Sequence, residues 1–407
     1  MVFMLYFRYK HFIHTLRANI GKLYILNITL NAFTIVPVLI PFLQSHGLTL
    51  NQVFLLQGLY TFSWVVADIP SGYLADVWGR KNTLVMSAAV FCLMGFGYAL
   101  ARDFWGFCLV SILFGVAEGL YSGTIEALTY DTLLALGEER SYRRICGYQA
   151  MTGWLSVAIA GILGGFLAGY DLRYAVFAML PFFGIGLIVS LLLREPERPL
   201  QKTSGHFKHL LHIVRETLVE NPPLRCIILL FSVTAAMTFS LVWFTQPYQL
   251  AVHLPISLFG IANAVFMLGL IAATKSTHYL EKRLDDRSLL LLIASIALAS
   301  FFLLGLSISM WGLLFIFIGR STYGALDPLT SDMVNRLTTS DRRATVLSTR
   351  TFTYNLIFSV ASPLLAFIVG AFTLNQAMLV VGLVGSIALL PVFFLVRRVW
   401  EELPLRM

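Results

Sequence analysis

The sequence predicts an all-α integral membrane protein with twelve transmembrane helices in two related six-helix halves. Three observations support this fold class. The 407 residues are 58% hydrophobic, with a mean hydropathy of +0.79 and only 12% Asp, Glu, Lys and Arg. The apolar residues form twelve runs of about 20 residues, the length that crosses a bilayer as a helix. The second half repeats features of the first at one fixed offset.

This composition excludes an ordinary soluble enzyme and a disordered chain. Soluble domains carry about 25% charged residues, and a soluble core could not bury so much apolar surface. The net charge of +8 would suit a nucleic-acid partner in a soluble protein, but here the charges follow membrane topology. The length leaves no room for a separate catalytic or nucleotide-binding domain.

Six apolar runs lie on each side of a long polar segment. They span about 23–43, 51–74, 83–101, 105–130, 146–169, 173–193, 224–247, 256–277, 288–308, 311–335, 344–370 and 374–396. The central segment carries Phe207, Leu210, Leu211, Val214 and Leu218 at helical spacing, which predicts an amphipathic helix on the inner membrane surface. It is either a plain linker, which we favour, or a helix that binds a partner. The predicted domains are 1–193, 194–223 and 224–407.

Basic residues indicate the sidedness of the chain. They concentrate in the connections on one side, whereas only Arg102 and Arg173 lie in those on the other. The positive-inside rule therefore places both termini and the central segment in the cytoplasm, in a multi-pass protein of the cytoplasmic (inner) membrane. The four cysteines have no CxxC spacing and no His at metal-ligand intervals, so we expect packing thiols, no metal and no cofactor.

One offset of 206 residues relates the two halves. It aligns Pro41 with Pro247, Trp105-Gly106 with Trp311-Gly312, Glu126 with Asp332, and Tyr148 with Tyr354. A match without gaps over several helices indicates a duplicated six-helix unit. Two parallel halves of this kind form an architecture in which a midplane site alternates its exposure.

One motif is specific enough to indicate a family. Between the second and third spans the chain reads Gly72-Tyr73-Leu74-Ala75-Asp76-Val77-Trp78-Gly79-Arg80-Lys81. This resembles the signature loop of the major facilitator superfamily, Gly-x-x-x-Asp-x-x-Gly-Arg-Lys, with every signature position present. The resemblance covers essentially the whole chain. It implies the twelve-helix fold of that superfamily and secondary active transport of a small solute by alternating access.

The resemblance also implies that this loop latches one conformation. Gly72 would allow close helix approach, Gly79 a tight turn, and Asp76 and Arg80 an ion pair at an interface that opens and closes. In the family, an acidic residue at the end of the fourth helix approaches the motif arginine, and Asp131 occupies that position. The expected latch comprises Gly72, Asp76, Gly79, Arg80, Lys81 and Asp131. The alternative is that its basic residues are only positive-inside anchors.

The second half carries a partial copy of this loop. At the same offset it reads Glu281-Lys282-Arg283-Leu284-Asp285-Asp286-Arg287, which keeps charges and loses both glycines. We therefore expect the second latch to be degenerate.

Acidic residues inside the spans are candidates for proton coupling, because a charge in lipid is costly unless it is paired or faces water. Glu118, Ser122 and Glu126 follow one another at i, i+4 and i+8 on the fourth span and so share one helix face. A carboxylate in a poorly hydrated cavity holds its proton more readily. Glu118 is therefore the leading candidate, with Asp68 and Glu126 as further ones. The alternative for Asp68 is a structural role beside the latch.

The tenth span carries a second polar face with Arg320, Tyr323 and Asp327. In the resembled family, helices one, four, seven and ten line the substrate cavity. The predicted cavity residues are Asn27, Asn31, Thr34, Ser122, Thr238, Trp243, Arg320, Tyr323 and Asp327. Arg320 keeps its charge, which suits it to hold an anionic group of a substrate or to displace the proton from Glu118. The alternative is a fixed ion pair between Glu118 and Arg320 that joins the halves.

The function predicted from these features is proton-coupled efflux of a small organic solute by antiport. The alternative is proton-coupled import of a small polar metabolite or chelator. The fifth span lacks the Gly-Pro step typical of drug antiporters, which limits the argument for efflux. The expected partners are the solute, protons and the bilayer, with no nucleic acid, and we expect a monomer.

Functions other than secondary transport find little support. An ATP-driven pump would need a phosphate-binding loop, and no GxxxxGK[ST] occurs. A membrane-embedded enzyme would use Glu118, Glu126 and Asp327 as acid and base, but no nucleophile with a base partner accompanies them. A channel would need a symmetric filter, which two unequal halves do not readily supply.

Overall fold

The structure is a computed structural model that describes residues 2–196, 215–339 and 342–399. Within these ranges it contains thirteen α-helices and no strand. The helices of the first half are α1 Val2–Leu30, α2 Leu39–Ser45, α3 Leu50–Val77, α4 Arg80–Leu100, α5 Phe104–Leu136, α6 Tyr142–Ala168 and α7 Leu172–Leu191. Those of the second half are α8 Pro222–Ala251, α9 Phe259–Leu280, α10 Asp286–Leu306, α11 Gly312–Leu337, α12 Arg343–Ala371 and α13 Leu374–Val399. The all-α prediction is confirmed.

Most of the predicted spans are single helices long enough to cross a membrane. Nine helices of the described residues are long and apolar enough, and α3 is a tenth if its two parts, which meet at a bend of 42° near Pro70, form one span. Proline causes such bends because its nitrogen cannot donate to the preceding turn. The polar face with Arg320 and Asp327 lowers the hydropathy of α11, which is otherwise long enough to span.

The first span differs from the prediction of one continuous helix over 23–43. Helix α1 ends at Leu30, and the chain then leaves helical geometry until a short 3-10 turn at Val36–Val38 leads into α2. Pro37 lies in that turn and cannot donate the hydrogen bond that a continuing helix would need. The break places the backbone carbonyl of Thr34 directly against Gly164, where an added Cβ would lie 1.7 Å from that oxygen. A side chain at position 164 would therefore clash.

The structure extends the repeat to helix boundaries. Helix α4 runs from 80 to 100 and α10 from 286 to 306, so both ends differ by the offset of 206. Asp285 accepts a hydrogen bond from the backbone N–H of Ser288 at the start of α10. Side-chain and backbone hydrogen bonds from Ser288 hold the pKa of Asp285 below its ordinary value. Asp285 is thus the N-cap of α10, and Gly79 is the N-cap at the equivalent position before α4.

The chain forms two compact units, which differ from the predicted domains at two short segments. The first unit comprises 1–48, 59–202 and 256–264, and the second comprises 49–58, 203–255 and 265–407. The two exchanged segments are themselves almost equivalent at the offset of 206. The predicted amphipathic helix falls largely on 197–214, outside the described residues, and only the turn Glu216–Glu220 is described from its end.

In the first unit, α4 packs against α5 and α7, and α1 packs against α5, α6 and α7. Glycines set the closest approach of α5 to α3: a Cβ at Gly115 would lie 2.4 Å from the carbonyl oxygen of Tyr60, and one at Gly119 would lie 2.8 Å from Ala67 Cβ. The start of α9 packs on α6 through Gly260 and Gly165 in the same way.

In the second unit, α8 is the central helix and packs against α10, α11, α12 and α13. Its most apolar stretch is 78% buried, which is more than in any other span of the described chain. The segment 49–58 packs on α12, where Ser362 Oγ donates to the carbonyl of Phe54 and the rings of Phe54 and Phe244 lie 5.0 Å apart. A Cβ at Gly58 would lie 2.5 Å from Ser362 Cβ, so glycine is required for this contact.

Candidate functional site

The acidic face of the first unit is centred on α5. Because this helix is continuous from 104 to 136, Glu118, Ser122 and Glu126 do share one face, with about 12 Å between the two glutamates along the axis. Asp68 of α3 joins them, since Ser122 Oγ donates to Asp68 Oδ1 at 3.2 Å. The close glycine contacts between α5 and α3 explain this meeting. The structure thus brings all three predicted proton-coupling acids to one surface.

The carboxylates of this face differ in exposure and in partners. Glu118 is half-buried, whereas Glu126 and Asp68 are exposed. Asp68 accepts its hydrogen bond from Ser122. In the described part of the chain, no donor or cation contacts the carboxylate of Glu118. A partly buried acid with no cation beside it can exchange a proton without breaking an ion pair.

Asn27 lies at the centre of a polar network within the first unit. Tyr121 donates to Asn27 Oδ1 at 2.7 Å, and Asn27 Nδ2 donates to the carbonyl of Gln149 at 2.7 Å. The Gln149 side chain in turn donates to Thr129 Oγ1 at 3.1 Å. Asn31 Nδ2 donates to the carbonyl of Asn27 at 2.8 Å. Asn27 therefore links α1, α5 and α6, a role that its place in the sequence did not indicate.

Thr34 was predicted to line the cavity, but the structure places it in the packed interior. The residue has no exposed surface, and its hydroxyl donates to the carbonyl of Ala175 in α7. The break after α1 turns Thr34 into the packed interior of the unit. A structural role fits this geometry, because its polar atom is already satisfied by the protein.

The signature loop is held by an ion pair and a cap. Arg80 Nη1 lies 2.5 Å from Asp131 Oδ2, both side chains are largely buried, and the same nitrogen donates to the carbonyl of Ala127. Gly79 has φ of 106°, a backbone conformation that favours glycine. Asp76 and Lys81 are half-buried beside it. The predicted close helix approach at Gly72 is wrong, since no atom of the described chain would lie within 4 Å of a Cβ there.

Glu195 is a loop contact that sequence reasoning missed. Its Oε1 accepts from the backbone N–H of Arg80 at 2.9 Å, and its Oε2 accepts from that of Lys81 at 2.7 Å. The first N–H groups of a helix have no partner within the helix, and a carboxylate there also suits the helix dipole. Glu195 follows α7, so it joins the signature loop to the segment that leads out of the first half. The only signal in the sequence was an acid directly after the sixth span.

In the second unit, several predicted cavity residues are buried. Arg320 is 4% exposed and its guanidinium lies 4.8 Å from the ring centre of Phe266. The hydroxyls of Thr238 and Thr322 lie 3.1 Å apart. Trp243 is 7% exposed, and its Nε1 has no hydrogen-bond partner in the residues described. Arg320, Thr238 and Trp243 are therefore buried polar groups in this structure, and their place in a substrate cavity stays a prediction.

Asp327 and Tyr323 remain more accessible. Tyr323 is half-buried, and the Asp327 side chain is 43% exposed. Asp327 Oδ1 lies 2.5 Å from Arg350 Nη2 of α12. Arg350 was not among the predicted residues, although it is a charge inside the predicted span 344–370 and was therefore visible in the sequence.

The loop of the second half is not simply degenerate. Asp286, at the start of α10, lies 2.7 Å from Arg336 of α11, and Arg336 also pairs with Asp332 at 3.0 Å. The loop of the second half lacks both glycines of the signature, but it retains an ion pair, that between Asp286 and Arg336.

Across the described ranges, no group of three or more His, Cys, Asp or Glu could hold a metal ion. The four cysteines Cys92, Cys108, Cys146 and Cys226 are free thiols.

The helical fold and the signature loop define a multi-pass membrane protein of transporter type. A family model described as Major Facilitator Superfamily matches residues 23–319 and 228–405. The chain therefore belongs to this superfamily, as the signature loop predicted.

Sequence relatives match the chain over part of its length. The inner membrane transport protein YajR of Escherichia coli is 27% identical over 183 residues, which is 44% of this chain and 39% of the relative. A D-xylose transporter of Levilactobacillus brevis is 29% identical over 171 residues, 39% of this chain and 36% of the relative. A hexuronate transporter of Bacillus subtilis is 30% identical over 89 residues, 22% of this chain and 21% of the relative. All three are named as transporters.

Known structures match over nearly the whole chain. The nucleoside transporter NupG has a TM-score of 0.74 at 13% identity, covering 92% of this chain and 98% of that one. A D-xylose-proton symporter has a TM-score of 0.69 at 14% identity, covering 97% and 98%. At these identities the likeness shows the fold alone.

Proposed function

We propose that this chain is a secondary active transporter that couples the movement of a small organic solute to protons through the carboxylates of its first unit. The observation that carries the proposal is the acidic face on which Glu118, Ser122, Glu126 and Asp68 meet. A membrane-embedded enzyme is not proposed, because relatives of this chain are named as transporters and no metal cluster accompanies these acids within the described residues.

Glu118 is the proposed main proton carrier. It is half-buried in mid-span and its carboxylate is not held by a cation within the described residues. When it is protonated it is neutral and can remain in a poorly hydrated environment, whereas the ionised form requires water or a counter-ion. A change in its surroundings between two states would therefore change its affinity for a proton, which is what coupling requires.

The direction proposed first is export by antiport. The second candidate is proton-linked import; a structure of the same fold is named a D-xylose-proton symporter. The same acidic face serves either direction, because in antiport the solute and the proton bind alternately, whereas in symport they bind together.

The proposed location is the cytoplasmic (inner) membrane, with both termini inside; the relative YajR is named as an inner membrane protein. Single cysteines in a background without the four native ones test this topology. Cysteines in place of Gly47 and Asp171 should react with an impermeant reagent in intact cells, and one in place of Glu139 should not. Labelling of a cysteine at position 139 in intact cells would show that this connection lies outside, and the proposed orientation of the chain would then be wrong.

The experiment for function uses purified protein in liposomes. A panel of labelled small solutes is screened by counterflow, and each hit is then tested with an imposed pH gradient of either sign. Antiport predicts accumulation towards the acidic side and symport predicts accumulation towards the alkaline side. A solute that exchanges but never responds to either gradient contradicts proton coupling.

A further inference from the structure

Arg350 is a buried cation that the transport site described above leaves without a function. It lies on α12 and is 5% exposed. Its Nη2 pairs with Asp327 Oδ1 at 2.5 Å, and its Nη1 donates to Thr330 Oγ1 at 2.6 Å and to the carbonyl of Asp327 at 3.1 Å. The guanidinium stacks on the ring of Phe231, 4.1 Å from its centre. These contacts join α8, α11 and α12 within the second unit.

The two members of the ion pair differ sharply in burial. The Arg350 side chain is 6% exposed, whereas that of Asp327 is 43% exposed. A buried charge cannot lose its counter-ion without a large cost, whereas the more exposed carboxylate is less tightly enclosed and can leave the pair more readily. The pair is therefore asymmetric: the acid can move away, and the cation then needs another anion in its place.

Arg350 also keeps an unused donor. Its Nε is buried and has no hydrogen-bond partner in the described part of the chain. A guanidinium binds a carboxylate best through two parallel N–H donors. Asp327 reaches it through one carboxylate oxygen, together with its own backbone carbonyl. Asp327 therefore does not form the two-donor contact that a guanidinium makes best with a carboxylate.

Aromatic side chains flank this cation. The Phe231 ring lies 6.4 Å from that of Tyr323 and 6.3 Å from that of Tyr354, measured between centres. Tyr323 is one turn before Asp327 on α11, and Tyr354 is one turn after Arg350 on α12. Rings around a cation offer contact to a flat apolar group, with ring-to-ring geometry that is favourable at these separations.

We propose that Asp327 is a displaceable counter-ion, and that Arg350 with Phe231, Tyr323 and Tyr354 binds an organic carboxylate that carries a ring. The ligand's carboxylate replaces that of Asp327 on Arg350, and its ring packs among the aromatic side chains. This rests on the proposed function and names its substrate class. A purely structural ion pair would behave differently, because loss of Asp327 would then weaken the protein without improving anion binding.

The test measures equilibrium binding to the purified full-length protein in detergent, by calorimetry, without a pH gradient. Benzoate is the probe, and benzamide is its neutral counterpart of nearly the same shape. The wild type should bind benzoate and should bind benzamide at least about tenfold more weakly, because the amide cannot replace the carboxylate on Arg350. Equal binding of the two, or no binding of benzoate, overturns the proposal.

Variants separate displacement from a structural role. Asp327→Asn should bind benzoate about tenfold more tightly than the wild type, because the competing carboxylate is gone. Arg350→Lys keeps the charge and loses the planar fork, so benzoate binding should fall about tenfold while the protein stays monodisperse. The matched control is Asp332→Asn, on the same helix, because Arg336 retains Asp286; benzoate binding should be unchanged. Weaker benzoate binding by Asp327→Asn contradicts the proposal.

The binding experiment and the coupling experiment can fail separately, because calorimetry is done without a pH gradient. If benzoate fails to bind while gradient-driven transport of some solute is intact, only the ligand class is wrong. If benzoate binds and no solute responds to a pH gradient, only the coupling proposal is wrong.

Discussion

Asp286 occupies in the second half the position that Arg80 occupies in the first, and the two residues form ion pairs of opposite polarity. Arg80 pairs with Asp131 at 2.5 Å, and Asp286 pairs with Arg336 at 2.7 Å. In each half the pair joins the first residue of a helix to the last turns of the following one. The repeat has therefore kept a bridge at this point while exchanging the signs of its charges.

This exchange of signs predicts that the charges of Asp286 and Arg336 can be swapped within the second pair. Asp286→Arg alone places a cation against Arg336 at a site where Asp286 is 4% exposed. We expect it to lower the free energy of unfolding by about 3 kcal/mol, the cost of an unpaired charge in a buried pair. Adding Arg336→Asp should recover part of that loss, because a cation again faces a carboxylate while Asp332 loses its partner. Thermal unfolding of the purified protein measures both, and a double variant no more stable than the single one argues against the pairing.

The signature loop should act on conformation more than on folding. We expect Arg80→Ala and Asp76→Asn to abolish most transport while membrane abundance stays near normal, because the loop biases an equilibrium between states. Cysteine accessibility measured on each side of the membrane should show a shifted balance. Unchanged transport in both variants would make the latch assignment wrong, and the basic residues would then be topology anchors.

Glu195 gives a local prediction at the start of α4. Glu195→Ala removes the acceptor for two backbone N–H groups and should cost about 1 kcal/mol of stability, as loss of a helix cap does. Hydrogen exchange should rise at the amides of Arg80 and Lys81 before it rises elsewhere in α4. Glu139→Gln, an exposed acid in a connection, serves as control. Uniform exchange across α4 in the alanine variant would rule out a local cap.

Gly260 tests the packing of the exchanged segment on α6. A Cβ there would lie 2.1 Å from the carbonyl oxygen of Gly161, so Gly260→Ala must move backbone. We expect a loss of about 2 kcal/mol, typical of overpacking. Gly184→Ala is the matched control, because a Cβ at that helical glycine meets no atom within 4 Å. Equal stability of the two variants would mean that the contact with Gly161 carries no energy.

Hydropathy and the internal repeat were enough to predict most of the helices. A helix that crosses a bilayer needs a long apolar run, and the duplication places equivalent runs at the same offset in both halves. The break after Leu30 was not predicted, because it lies within a long and mostly apolar run. Pro37 was a signal for it in the sequence, whereas the packing of Thr34 against Gly164 is visible only in the structure.

Partners across helices were harder to predict than positions along one. The row Glu118, Ser122 and Glu126 follows from helical periodicity alone. The pairing of Asp327 with Arg350 depends on how α11 and α12 are rotated against each other, which no local pattern encodes. For the same reason Asn27 was predicted as a cavity residue, although Tyr121 and Gln149 already satisfy it.

The central claim is that Glu118 carries the coupled proton, and it is tested most directly by gradient-driven accumulation in proteoliposomes that contain Glu118→Gln. We predict that accumulation driven by a pH gradient is lost while solute exchange without a gradient continues near the wild-type rate. Arg320→Ala should differ in kind, weakening the binding of an anionic solute because its charge is left unpaired in a poorly hydrated site. Full gradient-driven accumulation by Glu118→Gln would contradict the account and move coupling to Asp68, Glu126 or Asp327.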